Sequence, residues 1–194
     1  MIDIKKLVKD VLMLVMQPAK AWLLVSRKVD RGAMTNTFLL PLIAFSGIAV
    51  FVGKVFGSGF EGASFFPAAV RMVVVFFAMF LSYYLSALVI HKFSQNYTPA
   101  TAKNSDLLTG YSMVIVLLLE SCLGLFPNFR IIAWIAQFYT VKIVWDGAAV
   151  LMRIHEERRL LFTMVVSVII IVMPLLMGRI MSALSVNLDR KSVV

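Results

Sequence analysis

Cysteine and histidine are almost missing from this chain, and their scarcity removes whole classes of chemistry. Its 194 residues hold one cysteine and two histidines. A disulfide within the chain needs a second thiol, so Cys122 forms none. Lying in an apolar stretch, where desolvation disfavours the thiolate, it reads as inert packing. His91 and His155 have no clustered partners and do not make a histidine metal cage; His155-Glu156 opens an HExxH string, but Arg159 stands where the second zinc ligand is needed. There is no GxxxxGK[ST], GxSxG, CxxC or EF-hand pattern, and no intramembrane aspartyl pair, since Asp146 is the only aspartate well inside an apolar stretch. The expectation is no catalytic residue, no metal, no cofactor and no enzyme. Charge is scarce too, at 15% of residues, against about 25% in soluble domains.

Apolar residues fill the chain instead, at 61% with a mean hydropathy of +0.92. Five hydrophobic runs can be marked, at Thr35–Phe56, Pro67–Ile90, Leu107–Phe126, Ile131–Met152 and Leu160–Ala183. A bilayer core of about 30 Å takes about 20 helical residues, and every run is long enough. The predicted fold is all-α: an integral membrane bundle of five transmembrane helices over residues 35–184, preceded by an amphipathic interfacial segment at 1–34 and followed by a short tail at 185–194. What lies outside the runs is too small for a soluble domain with its own core.

The positions of the cations say more than the net charge of +9. Twelve of the 19 Lys and Arg fall on one side: seven in residues 1–34, then Lys92 and Lys103, then Arg153, Arg158 and Arg159. Only Arg130, Arg190 and Lys191 fall in loops or tail on the other side. The positive-inside rule then puts the N-terminus in the cytoplasm and, with five spans, the C-terminus outside. The implied location is a cytoplasmic membrane, the implied partner its anionic inner leaflet, and nucleic acid is excluded for want of any groove-reading motif.

Ile4, Leu7, Val8, Val11 and Val15 recur at helical spacing opposite Asp3, Lys5, Lys6, Lys9 and Asp10, the pattern of a helix lying in the membrane interface. The short apolar core, the acidic interruptions and the want of a small-x-small cleavage site argue against a signal peptide. Pro18 breaks this helix and starts a second, whose Lys20 and Trp22 suit the headgroup level. Lys5, Lys6, Lys9, Lys20 and Trp22 are thus the candidate lipid-surface residues. Ala49, Gly53 and Gly57 form a small-xxx-small ridge for close helix approach, in the bundle or in a homodimer. Lys54 and Arg71 are expected to snorkel outward, and Asp106 to cap the third span.

Four ionisable residues lie inside the last three runs: Glu120, Lys142, Asp146 and Arg179. A charge near the bilayer centre costs at least about 2.5–3.5 kcal/mol, so such residues face the protein interior and find partners. Lys142 and Asp146 are one helical turn apart and can pair; Glu120 and Arg179 share the outer half of the membrane and could pair across helices. Either the set neutralises itself and fixes helix register, or it lines a polar route.

Four short motifs carry a family resemblance: Pro18-Ala19-Lys20-Ala21-Trp22, Leu40-Pro41-Leu42, Gly110-Tyr111-Ser112, and Tyr139 through Trp145-Asp146-Gly147, the last followed by Arg158-Arg159. With the five-span layout they cover nearly the whole chain, which resembles the Ypt-interacting-protein (Yip) family of multipass membrane proteins in its short bacterial form. The resemblance marks Pro18, Trp22, Pro41, Gly110, Tyr111, Tyr139 and Gly147. It implies a non-enzymatic membrane-organising or adaptor factor of the trafficking type with a protein partner. Eukaryotic members bind Rab-type GTPases and act in vesicle transport; their Asp-Leu-Tyr-Gly-Pro type motif is not found here. The alternative reading is a small transporter, channel or lipid-translocating protein that uses the buried charges.

Overall fold

A computed structural model describes residues 4–28, 30–57, 65–98 and 102–191. Among these residues every regular element is helical. With so few polar side chains the backbone must satisfy its own N–H and C=O groups, and a helix does so within one segment. Four helical stretches are long and apolar enough to cross a membrane: Arg31–Phe56, Phe65–Ser94, Ala102–Leu125 and Glu156–Ser185. The first is built from α3 (Arg31–Met34), a π-helical turn at Thr35–Leu39 and α4 (Leu40–Phe56). Pro41 supplies no N–H and crowds the preceding turn, which widens so that the Leu40 N–H reaches Thr35 O. The second stretch is α5 (Phe65–Ser94), the third joins α6 (Ala102–Ser112) to α7 (Val114–Leu125), and the last is α10 (Glu156–Lys191). Before them come α1 (Ile4–Met16) and α2 (Pro18–Lys28).

The run expected as one span at Ile131–Met152 is instead two helices, α8 (Arg130–Gln137) and α9 (Tyr139–Val150). At the junction the Phe138 N–H bonds to Ile135 O and the Val141 N–H to Phe138 O, three-residue steps that tighten the backbone. Phe138-Tyr139-Thr140-Val141 is a row of weak helix formers. Tyr139 is also tied elsewhere, its hydroxyl donating to Val15 O at 2.7 Å.

Cross-helix contacts fix the directions. Gly53 of α4 lies against the carbonyl of Gly124 in α7, so these two helices run parallel with their C-termini together. Arg71 near the start of α5 donates to Ser182 near the end of α10 at 2.8 Å, while Phe93 near the end of α5 stacks on Phe162 near the start of α10. Those two are antiparallel. The chain therefore leaves α7 at one end of the bundle, marked by Gly57, and enters α10 at the other, marked by Arg31. Residues 126–155 connect the two ends.

The core is apolar with a few buried hydroxyls, and the outer surface is apolar as well. Ser46, Ser82, Ser86, Thr109, Thr163 and Ser167 are buried, whereas Phe77, Leu88, Met164, Val168 and Leu175 are exposed around the bundle. Such a rim is stable where the surroundings are hydrocarbon. The small-residue ridge is used inside the chain: a Cβ on Gly53 would collide with Gly124, and one on Gly124 would meet Val50.

Several boundaries need correction. The first long helix starts at Arg31, so a division between residues 34 and 35 cuts through it, and α10 continues to Lys191 rather than giving way to a tail at 185. Asp106 lies within α6 and pairs with Arg31 instead of capping a helix. In the segment before the first long helix, Leu14, Ala21, Trp22 and Val25 belong to the common core.

Candidate functional site

Trp22 was expected at the headgroup level, but its side chain has no exposed surface. Its indole N–H donates to Ile143 O at 2.9 Å, and its ring meets Tyr111 edge-on at 5.9 Å between centroids. Basic neighbours made it look like an interface residue; the opposing surface, absent from any local pattern, made it an anchor. Gly147 provides the space, since a Cβ there would lie 2.8 Å from indole Cε2 and 2.5 Å from Leu108 Cδ1. Gly110 is needed similarly, for a Cβ would run into Met34 Sδ. Tyr111 also packs on Phe38 at 4.5 Å. Pro18 is buried at the start of α2, and Tyr139 holds the end of α1 through Val15. Trp22, Tyr111, Tyr139 and Gly147 thus converge on one seat that clamps the α1–α2 hairpin to α6 and α9, while Gly110 makes room for Met34 of α3 and Pro41 acts on its own helix. The fourth motif reaches α10 as well, with the Arg159 guanidinium 5.3 Å above the Trp145 ring.

The hairpin's other side is open. Ile4, Val8, Leu12 and Met16, four apart along α1, are exposed, as are Lys5, Lys6, Lys9 and Lys20. Leu7, Val11 and Val15 pack inward, so the expected single apolar stripe is divided between core and surface. Asp10 is half-buried, and burial raises its carboxyl above the ordinary range while Lys6 and Lys9 pull it back down.

The four intramembrane charges do not form one cluster. Lys142 Nζ and Asp146 Oδ1 pair at 3.0 Å on α9, with the lysine side chain 55% exposed and the aspartate 12%. Glu120 and Arg179 line a different cavity of about 380 Å³ at the Gly57 end, together with Arg71, Gln137 and Ser182. Neither Lys142 nor Asp146 borders it. The expected Glu120–Arg179 pair is corrected: no ion pair joins them among the described residues, and Glu120 shares both of the cavities at this end with Arg71, whose position at the start of α5 had suggested a snorkelling side chain. A second cavity of about 390 Å³ shares Arg71, Glu120 and Leu123 with the first and adds Lys54, Gly124, Pro127 and Arg130.

At the Arg31 end lies a polar cluster that sequence reading missed. Arg31 Nε pairs with Asp106 Oδ2 at 2.9 Å, and His91 also acts electrostatically on that carboxylate. Ser105 Oγ lies 3.5 Å from His91 Nδ1 and 3.4 Å from Ser94 Oγ, and Lys103 pairs with Asp30 at 3.6 Å. An acid in the first turns of one apolar helix and an arginine at the start of another were the available signal. These contacts tie α3, α5 and α6 together. Among the described residues no group of His, Cys, Asp and Glu is arranged to hold a metal ion.

No curated protein and no solved structure matches the chain. The family model described as Yip1 domain matches residues 13–177, a range that takes in α2, its seat and most of α10. The match spans the motif residues that clamp the hairpin and the four long apolar helices alike, and the chain belongs to the Yip1 domain family of membrane proteins.

Proposed function

We propose that this Yip1-domain protein is a non-enzymatic membrane-organising or adaptor subunit that crosses a bacterial cytoplasmic membrane five times, N-terminus inside and C-terminus outside. The observation that carries the reading is the α1–α2 hairpin. One side is clamped into the bundle by Trp22, while the other offers Ile4, Val8, Leu12 and Met16 beside Lys5 and Lys9. In a bilayer such a face is stabilised by acyl chains below and anionic headgroups above. A hairpin seated in one leaflet gives the protein an asymmetric footprint, which suits an organiser or adaptor and requires no covalent chemistry.

The fifth crossing is α8 and α9 taken together. Residues 126–155 join opposite ends of the bundle, and the 21 residues from Arg130 to Val150 rise about 31 Å at 1.5 Å per residue. Orientation rests on Lys92, Lys103, Arg153, Arg158 and Arg159 at the Arg31 end. Single cysteines introduced at Ser26 and Asn128 in a Cys122→Ser background test it in intact cells. The expected result is labelling of residue 128 by an impermeant reagent from outside and of residue 26 only after permeabilisation. Both sites labelling from one side would defeat the proposed orientation, and a cysteine at Glu157 that labels from outside would remove the fifth crossing. Crosslinking in native membranes from the Arg31 end then tests the adaptor role: a stable protein partner supports it, and recovery of lipid alone removes it.

A further inference from the structure

The Gly57 end carries an unusual combination of features. Two connected cavities share Arg71, Glu120 and Leu123, and their described walls bring Lys54, Arg71, Arg130 and Arg179 around a single acid, Glu120. Among the described wall residues three arginines face this one acid, and Arg179 has no ion pair among the described residues. Next to them runs an apolar groove of about 580 Å³ between α8 and α10, lined by Ile131, Ile135, Phe138, Ile171 and Leu175. The groove is continuous with the polar space, because Trp134, Gln137 and Leu175 border both it and the first cavity, and Arg130 borders both it and the second.

A charged chamber opening sideways into an apolar groove matches an amphiphile with an anionic head. We propose that this end of the bundle binds one anionic glycerophospholipid from the surrounding leaflet, its phosphate among Arg71, Arg179 and Arg130 and one acyl chain along the groove. The volumes lie in the range of specific small-molecule sites. Guanidinium groups hold phosphate oxygens by paired, charge-assisted hydrogen bonds. Ser182 acts as a positioning group by accepting from the Arg71 guanidinium at the cavity wall, and Glu120 lines the same wall. The acyl groove contributes shape rather than strength, since a lipid tail gains little by leaving one apolar environment for another. Discrimination therefore comes from the head. This surface lies at the end of the bundle opposite the Arg31 cluster, and binding there does not depend on the proposed orientation or adaptor role.

The test uses the full chain in neutral detergent micelles and phosphatidylglycerol with brominated acyl chains, which quench nearby indoles. Trp134 borders both cavity and groove, so a Trp145→Phe protein reports through it, and Trp134→Phe supplies the blank. Quenching is expected to saturate at a phosphatidylglycerol concentration about tenfold below that of brominated phosphatidylcholine, the size of effect one charge-assisted hydrogen bond supplies. Arg71→Gln with Arg179→Gln should bring the two lipids together, and Lys92→Gln at the other end should change nothing. Leu175→Phe, which fills the groove without adding an indole, should weaken binding while leaving the helical content intact; if the arginine variants misfold, this variant carries the test. Equal binding of the two lipids, or a filled groove without effect, would overturn the proposal. So would binding of millimolar inorganic phosphate without any quenching by either lipid, which would mark an anion site that takes no lipid.

Discussion

Replacing Gly147 by alanine adds one methyl group, and the structure says where it goes. The new Cβ would stand 2.5 Å from Leu108 Cδ1 and 2.8 and 2.9 Å from Cε2 and Cζ2 of Trp22. Carbon atoms rest at about 3.5–4.0 Å, so the indole must retreat by roughly 0.6–1 Å. Little space is available, because the ring is fully buried, abuts Tyr111 and is held by its N–H to Ile143 O. Overpacking of this kind costs about 1–3 kcal/mol, and stretching the indole hydrogen bond adds about 0.5–1.5 kcal/mol. The measurement is unfolding in mixed micelles with increasing denaturing detergent, followed by far-ultraviolet circular dichroism. Gly178→Ala is the control, since nothing lies within 4 Å of a Cβ there. It should be neutral or stabilise α10 by up to about 1 kcal/mol through helix propensity. Trp22→Phe withdraws the crowding ring atoms, so the double substitution Trp22→Phe with Gly147→Ala should cost less than the sum of the two by at least about 0.5 kcal/mol. If Gly147→Ala behaved like Gly178→Ala, or the two changes simply added, the seat would not be the determinant argued for here.

Three other outcomes follow from the charged groups. Arg31→Ala should destabilise the protein toward the low end of the about 3–5 kcal/mol typical of a buried pair broken on one side, because Asp106 is buried but Arg31 is half-exposed; Arg31→Ala with Asp106→Asn should recover part of the loss in the same unfolding titration. Asp146→Leu and Lys142→Met should each lower the amount of folded protein in the membrane, with the double variant partly restored, and a double variant no better than either single one would refute pairing as their role. Asp10 has its carboxyl raised by burial, so the folded state favours the protonated form: the contribution to α1 docking is full below the ordinary aspartate range and is lost as pH rises through the raised value. Protection of α1 against proteolysis should fall over that window, and Asp10→Asn should abolish the dependence.

The legible parts of this protein are those decided within one turn or one run of chain. Five apolar runs announced helices because a backbone in hydrocarbon has no other partner than itself. The Lys142–Asp146 pair was readable because residues four apart share a helix face whatever surrounds them. The motif residues around Trp22 and Gly147 could be marked, but not their purpose. A tryptophan among lysines has the same local pattern at a lipid surface as in a socket, and only the opposing glycine on α9, 125 positions away, shows which it is. The break at Phe138 was equally hidden, since no proline or glycine lies within a turn of Phe138 and a tether from Tyr139 to Val15 accompanies it. The outer charges show the same division. Glu120, Arg71 and Arg179 sit on three helices at one end of the bundle, and whether the glutamate meets one arginine or the other depends on how α5 and α10 are rotated against α7. Composition and periodicity set the helices and their depth. Their rotation and partners are set by side-chain volumes meeting across the bundle, a property of the packed surfaces that no single helix carries.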